Sequence, residues 1–350
     1  MRKLRIGYSP ISKDLKAPGD RRRLAYWAGK RGHQIQVDDF SNVDLIVLSE
    51  RSNLAKDFHT ETSTPIVFDL VDGYLEIESR TKDYLRGCLK VLSGQVSGPL
   101  RRFSETVGEM CSKANVVICS SVEQRELISK FSKNCHVILD FHEEIPNLPF
   151  KDIEYSAKKD FELIWEGQPA TLEGFQSIYR ELEDLFLCKS GLLNLVTDHS
   201  YYRLLGKYWP NSTEALVRRI FPNSFKNVGI FPWSIDNLVK HSQNARGALL
   251  PLNTDNRIQM LKPENRLLVM WKLGIPTLTS SIQSYERVES QTALSFTCKT
   301  NSDWKEKIQT LLSDRDFAAE QIKVGKEYLR TNHTEEILLN KWDIAIKSVL

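Results

Sequence analysis

Short apolar runs rich in Val, Ile and Leu alternate along the chain with longer stretches whose apolar positions recur every three to four residues. Runs such as VDLIVL (43–48) and NVVIC (115–119) are apolar nearly throughout, the pattern of strands covered on both faces. In the first half, strands are predicted over Leu4–Tyr8, Gln34–Val37, Val43–Leu48, Pro65–Leu70, Val116–Ser120 and Val137–Asp140. In the second half they are predicted over Glu162–Trp165, Leu192–Val196, Asn227–Phe231, Gly247–Leu252, Pro276–Thr279 and Ala293–Thr297. Amphipathic stretches lie between most of them. Repeated strand–helix–strand units imply parallel sheets with helices on both sides. A chain of 350 residues is long for one doubly wound sheet, and two sheets fit better.

The segment 141–159 (FHEEIPNLPFKDIEYSAKK) holds Pro146 and Pro149, is rich in charge and precedes a new strand, so the domain boundary is expected there. This gives an N-terminal domain over 1–150, a second over 151–325, and a last helix over 326–350 that returns to the first. The tail from about Asp303 reads as three helical segments.

Composition is that of an ordinary globular protein, 41% apolar and 27% charged, with no apolar run near the roughly 18 residues of a spanning helix. No signal-like apolar stretch follows the basic N-terminus, so a cytoplasmic protein is expected. The six cysteines are scattered without a CxxC pair, which suits reduced, mostly buried thiols and neither a zinc site nor a disulfide framework. Net charge is +3, but residues 1–30 carry nine basic side chains against Asp14 and Asp20. That basic edge suits an anionic partner, either a phosphate-bearing ligand or a membrane surface.

Loops after strands are where chemistry is sought in such folds. After the first strand, Pro18, Gly19 and Asp20 signal a turn, with Arg21 near the start of a helix that ends at Gly32. Asp69 lies at the end of the strand PIVFDL and Asp72 in the turn after it, followed by Tyr74; with no His or third carboxylate nearby, no metal site is expected. Ser120 and Glu123 have the spacing of a capping box. Gly167 follows the strand end Trp165–Glu166. The richest block is RIQMLKPENRLLVMWKLGIPTLTSS (257–281). Pro263 reads as the first residue of a short helix that Gly274 ends. Arg257, Lys262 and Arg266 gather near its N-terminus, where orphan N–H groups and basic side chains suit a diphosphate. Glu264 and Asn265 can accept hydrogen bonds from sugar hydroxyls.

These fragments, in this order, resemble the GT-B glycosyltransferases of the retaining nucleotide-sugar type (families 4 and 1). RRLAYWAGKRGHQIQV is similar to the first helix and second strand of their N-terminal lobe, and ANVVICSSVEQREL to its late strand–Ser–helix element. ELIWEGQP stands where the first strand and glycine loop of the C-terminal lobe would be, and ARGALLPL with LKPENRLLVMWKLGIPTLTSS resembles the nucleotide-sugar core. The resemblance implies an α/β GT-B fold: two Rossmann-like doubly wound domains facing across a cleft, with C-terminal helices packing back across the lobes. It implies a metal-independent hexosyltransferase that takes a nucleotide sugar as substrate, needs no cofactor and retains anomeric configuration. The acceptor would be a glycan or a lipid-linked glycan, in cell-surface polysaccharide biosynthesis. Arg266, Lys262 and Asp72 would be catalytic. Gly167, Gln168, Arg203, Arg257, Pro263, Glu264 and Asn265 would bind the donor. Gly19, Asp20, Arg21, Asp69 and Tyr74 would face the acceptor. Peripheral contact with the inner face of the plasma membrane is expected, and nucleic acid is not, since Arg21–Arg23 lack interleaved aromatics. The sequence departs from the family pattern: Val269 and Leu261 stand at two common glutamate positions, Gln168 replaces an Arg, and Arg266 stands where many relatives carry a Lys. These departures support a catalytically silent GT-B scaffold, acting as a binding or partner protein, as the alternative.

Overall fold

The computed structural model describes residues 2–56, 63–77, 79–151, 160–188, 190–202 and 210–350. All twelve expected strands are present. The first six are β1 (Arg5–Ser9), β2 (Gln34–Val37), β3 (Leu45–Ser49), β4 (Ile66–Leu70), β5 (Val116–Cys119) and β6 (Cys135–Val137). They form one sheet in the order β2-β1-β3-β4-β5-β6, every pair parallel. After β7 (Phe161–Glu166) and β8 (Gly191–Val196), β9 (Ser200–Tyr202) and β10 (Pro210–Ser212) make a small antiparallel hairpin. β11 (Val228–Phe231), β12 (Ala245–Leu250), β13 (Thr277–Ser280) and β14 (Thr297–Cys298) follow. The second sheet runs β11-β8-β7-β12-β13-β14, again all parallel.

In each sheet the strand order reverses once, between β1 and β3 and between β7 and β12. The carboxyl ends of strands at such a reversal leave a crevice, because the connections depart to opposite sides. Ser9 and Ser49 end the strands at the first reversal, Glu166 and Leu250 at the second.

The chain divides into two compact units. One comprises residues Met1–His142 with Leu261–Pro263 and Thr334–Leu350; the other comprises Glu143–Met260 with Glu264–His333. In the first, β3, β4 and β5 are buried along their whole length, as apolar runs without alternation require. The helix Glu335–Lys347 completes this core: Trp342 stacks on Trp27 at 5.8 Å between ring centroids. Asp343 accepts from Trp27 Nε1 at 2.8 Å and pairs with Arg31 at 2.9 Å. In the second unit, Ile164, Ala248, Val269, Met270 and Leu273 form one apolar cluster between sheet and helix. Among the described residues, no helix is long and apolar enough to cross a membrane.

Several local expectations shift. Ser121, not Ser120, caps the helix Val122–Ile128, accepting from Gln124 N at 3.2 Å, while Gln124 Oε1 accepts from Ser120 N at 3.0 Å. Glutamine thus takes the reciprocal role assigned to Glu123. β6 stops at Val137 because it is an edge strand, and Arg23 Nη1 takes the next carbonyl, Ile138 O, at 2.8 Å. β14 starts late because Ala293 caps the preceding helix with φ +54°. Pro18–Gly19–Asp20 forms a one-turn helix, Pro18–Arg21, rather than a plain turn.

Candidate functional site

In the second unit, β7 ends at Glu166 and Gly167 follows with φ +151°, where a side chain would be strained. A Cβ at Gly167 would lie 3.0 Å from Arg266 Nη1 and 3.1 Å from Trp165 Cζ2. Glycine therefore lets the Arg266 guanidinium approach the backbone. Arg266 Nη1 donates to Glu166 O at 3.3 Å, and the guanidinium lies 5.7 Å over the Trp165 ring.

Arg266 sits in the first turn of the helix Asn265–Lys272, whose N-cap is Glu264; no side chain caps that turn. The first N–H groups of a helix look to partners outside it, and the dipole favours an anion there. Pro263 lies just before the cap, one position earlier than Glu264 and two before the first helical residue, rather than inside the helix as expected. At the other end, Gly274 has φ +72°; its N–H donates to Trp271 O and that of Ile275 to Met270 O, both at 3.0 Å, a Schellman stop. The helix is thus fixed at its last turn, with its first turn beside the end of β7.

Two buried carboxylates flank this guanidinium. Glu166 accepts from Trp233 Nε1 at 3.2 Å, and Glu264 pairs with Arg287 at 3.5 Å. Tyr285, fully buried, has its hydroxyl pushed above the ordinary range by burial, with the Arg266 charge opposing and Glu264 and Glu166 adding to the rise. Val269 is 2% exposed within the apolar cluster, so it offers nothing to a ribose. Gln168 is exposed, and Arg257 opens the one-turn helix Arg257–Met260 on an exposed loop. Arg203 lies outside the described residues.

The first unit carries its own cluster at the carboxyl ends of β3 and β4. Glu50, directly after β3, is buried and accepts from Val71 N at 3.2 Å and Asp72 N at 2.9 Å. Burial, then the neighbouring Asp72 carboxylate, raise its carboxyl to about 7. Asp72 pairs with Lys262 at 2.6 Å, and that ammonium holds the Asp72 carboxyl below its usual range. Leu261 meets Gly73, where a Cβ would come within 2.6 Å of Leu261 Cδ1, and Leu261 O accepts from Ser121 Oγ at 2.9 Å. So residues 261–263 seat against the loop after β4, and Lys262 pairs with Asp72 within the first unit. Tyr74 packs edge-on against Phe103 at 5.2 Å, with the Arg86 guanidinium 5.4 Å over its ring.

Of the other residues expected to face the acceptor, Asp20, Asp69 and Gly19 act as internal braces. Asp20 is fully buried and accepts from Tyr8 Oη at 2.6 Å and from Ile11 N and Ser12 N at 2.8 Å. Asp69 is buried against Arg23, at 2.6 Å; Arg23 also reaches Asp140 at 3.2 Å. Gly19 packs tightly on Ile11, where a Cβ would lie 2.5 Å from Cδ1. Arg21 Nη1 donates to Lys16 O at 2.8 Å on the surface. Sequence reasoning missed Glu50, Tyr285 and Arg287. Glu50 was findable from its place just past VDLIVLS; the other two lie on a helix, Gln283–Thr292, that carries no motif.

No protein-family profile and no curated protein sequence matches the chain. Solved structures do. Staphylococcus aureus TarM, solved with fondaparinux, α-GlcNAc-glycerol and UDP, superposes with TM-score 0.55 at 13% identity over 86% of this chain. The chain spans 55% of the length of TarM. WaaG, a glycosyltransferase involved in lipopolysaccharide biosynthesis, gives 0.51 at 11% identity, covering 97% of this chain and 98% of its own. Anabaena HepE in complex with UDP-glucose gives 0.60 at 11% identity, covering 99% of this chain and 100% of its own. At these identities the likeness establishes the fold. Two parallel six-stranded sheets with flanking helices are the GT-B architecture.

Proposed function

We propose that this chain is a glycosyltransferase that moves a sugar from a nucleotide-sugar donor to a glycan or lipid-linked acceptor. The observation that carries the reading is the junction of Gly167 and Arg266 at the β7–β12 strand reversal. There a half-buried guanidinium and an uncapped helix start are offered together. Breaking the bond at the anomeric carbon builds negative charge on the departing nucleoside diphosphate. Arg266 and the N–H groups at the helix start stabilise that charge, on the scale of about 3–4 kcal/mol per well-placed donor. Glu264, held by Arg287, and Asn265 orient the donor's hydroxyls, with Gly167 and Gln168 against its phosphates. With cations in this role the transfer needs no metal, and configuration is retained. In the first unit, Asp72, Lys262, Tyr74 and Glu50 receive the acceptor, which belongs to cell-surface polysaccharide synthesis at the membrane. HepE and TarM, solved with UDP species, support a uridine donor.

The test is calorimetric titration with UDP, GDP, ADP, CMP and TDP, followed by sugar transfer or hydrolysis from the donor that binds. We expect one diphosphate to bind and Arg266→Ala to weaken it at least about tenfold, the loss of roughly one charge-assisted contact. Absence of binding by every nucleotide rejects the proposal. A silent scaffold is the second reading, favoured by Val269 lying in the apolar core where the family carries a carboxylate. Donor hydrolysis that disappears with Arg266→Ala rejects that version.

A further inference from the structure

β5 and β6 lie side by side at the edge of the first sheet, and each contributes a cysteine. Their register sets Cys135 opposite Val117 and Cys119 opposite Val137. Side chains two apart on a strand share a face, so Cys119 and Cys135 are diagonal neighbours on one side of the sheet. Both are free thiols, and their Sγ atoms are 3.7 Å apart, within hydrogen-bond reach of each other. A disulfide holds its sulfurs about 2.05 Å apart, so this pair has to close by about 1.7 Å to form one. β6 can supply that movement, because it is three residues long and is paired on one side only.

The two thiols differ in access. Cys119 is fully buried and also faces Ser121 O at 3.5 Å. Cys135 is half-buried and lines a surface groove of about 320 Å³ with Arg125, Glu126, Ser129, Ser132 and Lys133. The hydrogen bond from Cys119, with the Arg125 charge, holds the Cys135 thiol below its ordinary range against the effect of burial. That same bond, and then burial, push Cys119 up. Cys111, in the helix Phe103–Lys113, is pushed up to about 12 by burial. An accessible thiol that ionises readily is the form of cysteine that reacts with a peroxide, and a neighbouring thiol is what resolves the product. We propose that Cys135 is a site of oxidation by a peroxide and that Cys119 resolves it into a disulfide between β5 and β6. The Cys135 sulfur attacks one peroxide oxygen, the O–O bond breaks, and the other oxygen leaves as water with the thiol proton, giving a sulfenic acid. The Cys119 sulfur then displaces that hydroxyl, which takes the Cys119 proton and leaves as a second water. The S–S bond forms at the cost of two electrons from the thiols, and these reduce hydrogen peroxide to water. Two residues after Cys119, Ser121 Oγ donates to Leu261 O at 2.9 Å, so the new bond ties the edge strand to the strand that carries this turn. The site lies wholly in the first unit and stands whether or not the chain binds a nucleotide.

The full chain, reduced and freed of reductant, is treated with equimolar hydrogen peroxide, alkylated, digested with trypsin and mapped by mass spectrometry. Cleavage after Lys113, Arg125, Lys133 and Lys151 puts Cys111, Cys119 and Cys135 in separate peptides. The expected product is a cross-link between peptides 114–125 and 134–151 that dithiothreitol reverses. It should form severalfold faster than Cys88, also partly exposed, is oxidised. In Cys119→Ala the cross-link is absent and Cys135 accumulates as a sulfenic acid that dimedone captures. In Cys135→Ser neither product forms and Cys119 stays reduced. Circular dichroism checks that the variants keep the parent fold, and the parent's own cross-link tests the pairing without any variant. Absence of that cross-link in the parent, a cross-link that joins two copies, or Cys135 oxidised no faster than Cys88 overturns the proposal. So does Cys135 passing to the sulfinic acid in the parent while Cys119 stays reduced.

Discussion

Replacing Glu50 by glutamine should flatten a pH dependence built into the first unit. The carboxyl is 5% exposed, sits beside Asp72, and has two backbone N–H groups as its partners. It ionises near pH 7 in the folded chain against 4.5 when free. At 1.36 kcal/mol per tenfold change in protonation, that gap is worth roughly 3 kcal/mol. Below pH 4.5 both folded and unfolded chains hold the proton, and the full stability is present. As pH rises towards 7 the unfolded chain ionises freely and the folded one does not, so stability is lost across that window and then levels off. Glu50→Gln keeps the shape and an acceptor for the Val71 and Asp72 amides but cannot ionise. The assay is hydrogen exchange at β3 and β4 amides in parent and variant at matched pH, which reads this unit without requiring the whole chain to unfold at once. The variant should gain on the parent by roughly 2–3 kcal/mol between about pH 5 and pH 8. A parent–variant difference that is the same at both pH values refutes the reasoning.

Two further substitutions probe the braces around the site. Arg23→Met leaves Asp69 and Asp140 without their shared counter-charge inside the fold and should cost about 3–5 kcal/mol, read as a lowered melting temperature for the first unit; a loss below about 1 kcal/mol contradicts the pairing. Gly167→Ala forces a side chain into φ +151° against Arg266 Nη1, at a cost of about 1–3 kcal/mol. It should weaken nucleoside diphosphate binding in calorimetry at least about tenfold while circular dichroism stays that of the parent.

The sheets were legible because their strands are short, apolar and separated by helical periodicity; VDLIVL and NVVIC could hardly be read otherwise. Edges were less legible, since where β6 stops depends on Arg23 reaching Ile138 O from 115 positions away. The helix before WKLG was readable from Pro263 and Gly274, but the carboxylate that Lys262 pairs with was not. Proximity in sequence singled out Lys262 beside Arg266, while the partner that Lys262 takes, Asp72, lies 190 residues earlier. Likewise Asp20 and Asp69 sit at strand ends, the expected place for chemistry, yet they accept bonds from Tyr8 and Arg23. Nothing local distinguishes a carboxylate that braces a loop from one that meets a ligand. The Tyr285 hydroxyl and the Arg287 guanidinium reach the site only through the packing of one helix.

The stacking of Trp27 on Trp342 also bears on how the molecule is made. A ribosome delivers the first sheet early and the helix Glu335–Lys347 only after the whole of the second unit. The second unit, an almost continuous stretch of chain, can mature first. Until that helix arrives the indole of Trp27 lacks both its stacking partner and its hydrogen-bond acceptor, so the first sheet completes its core last.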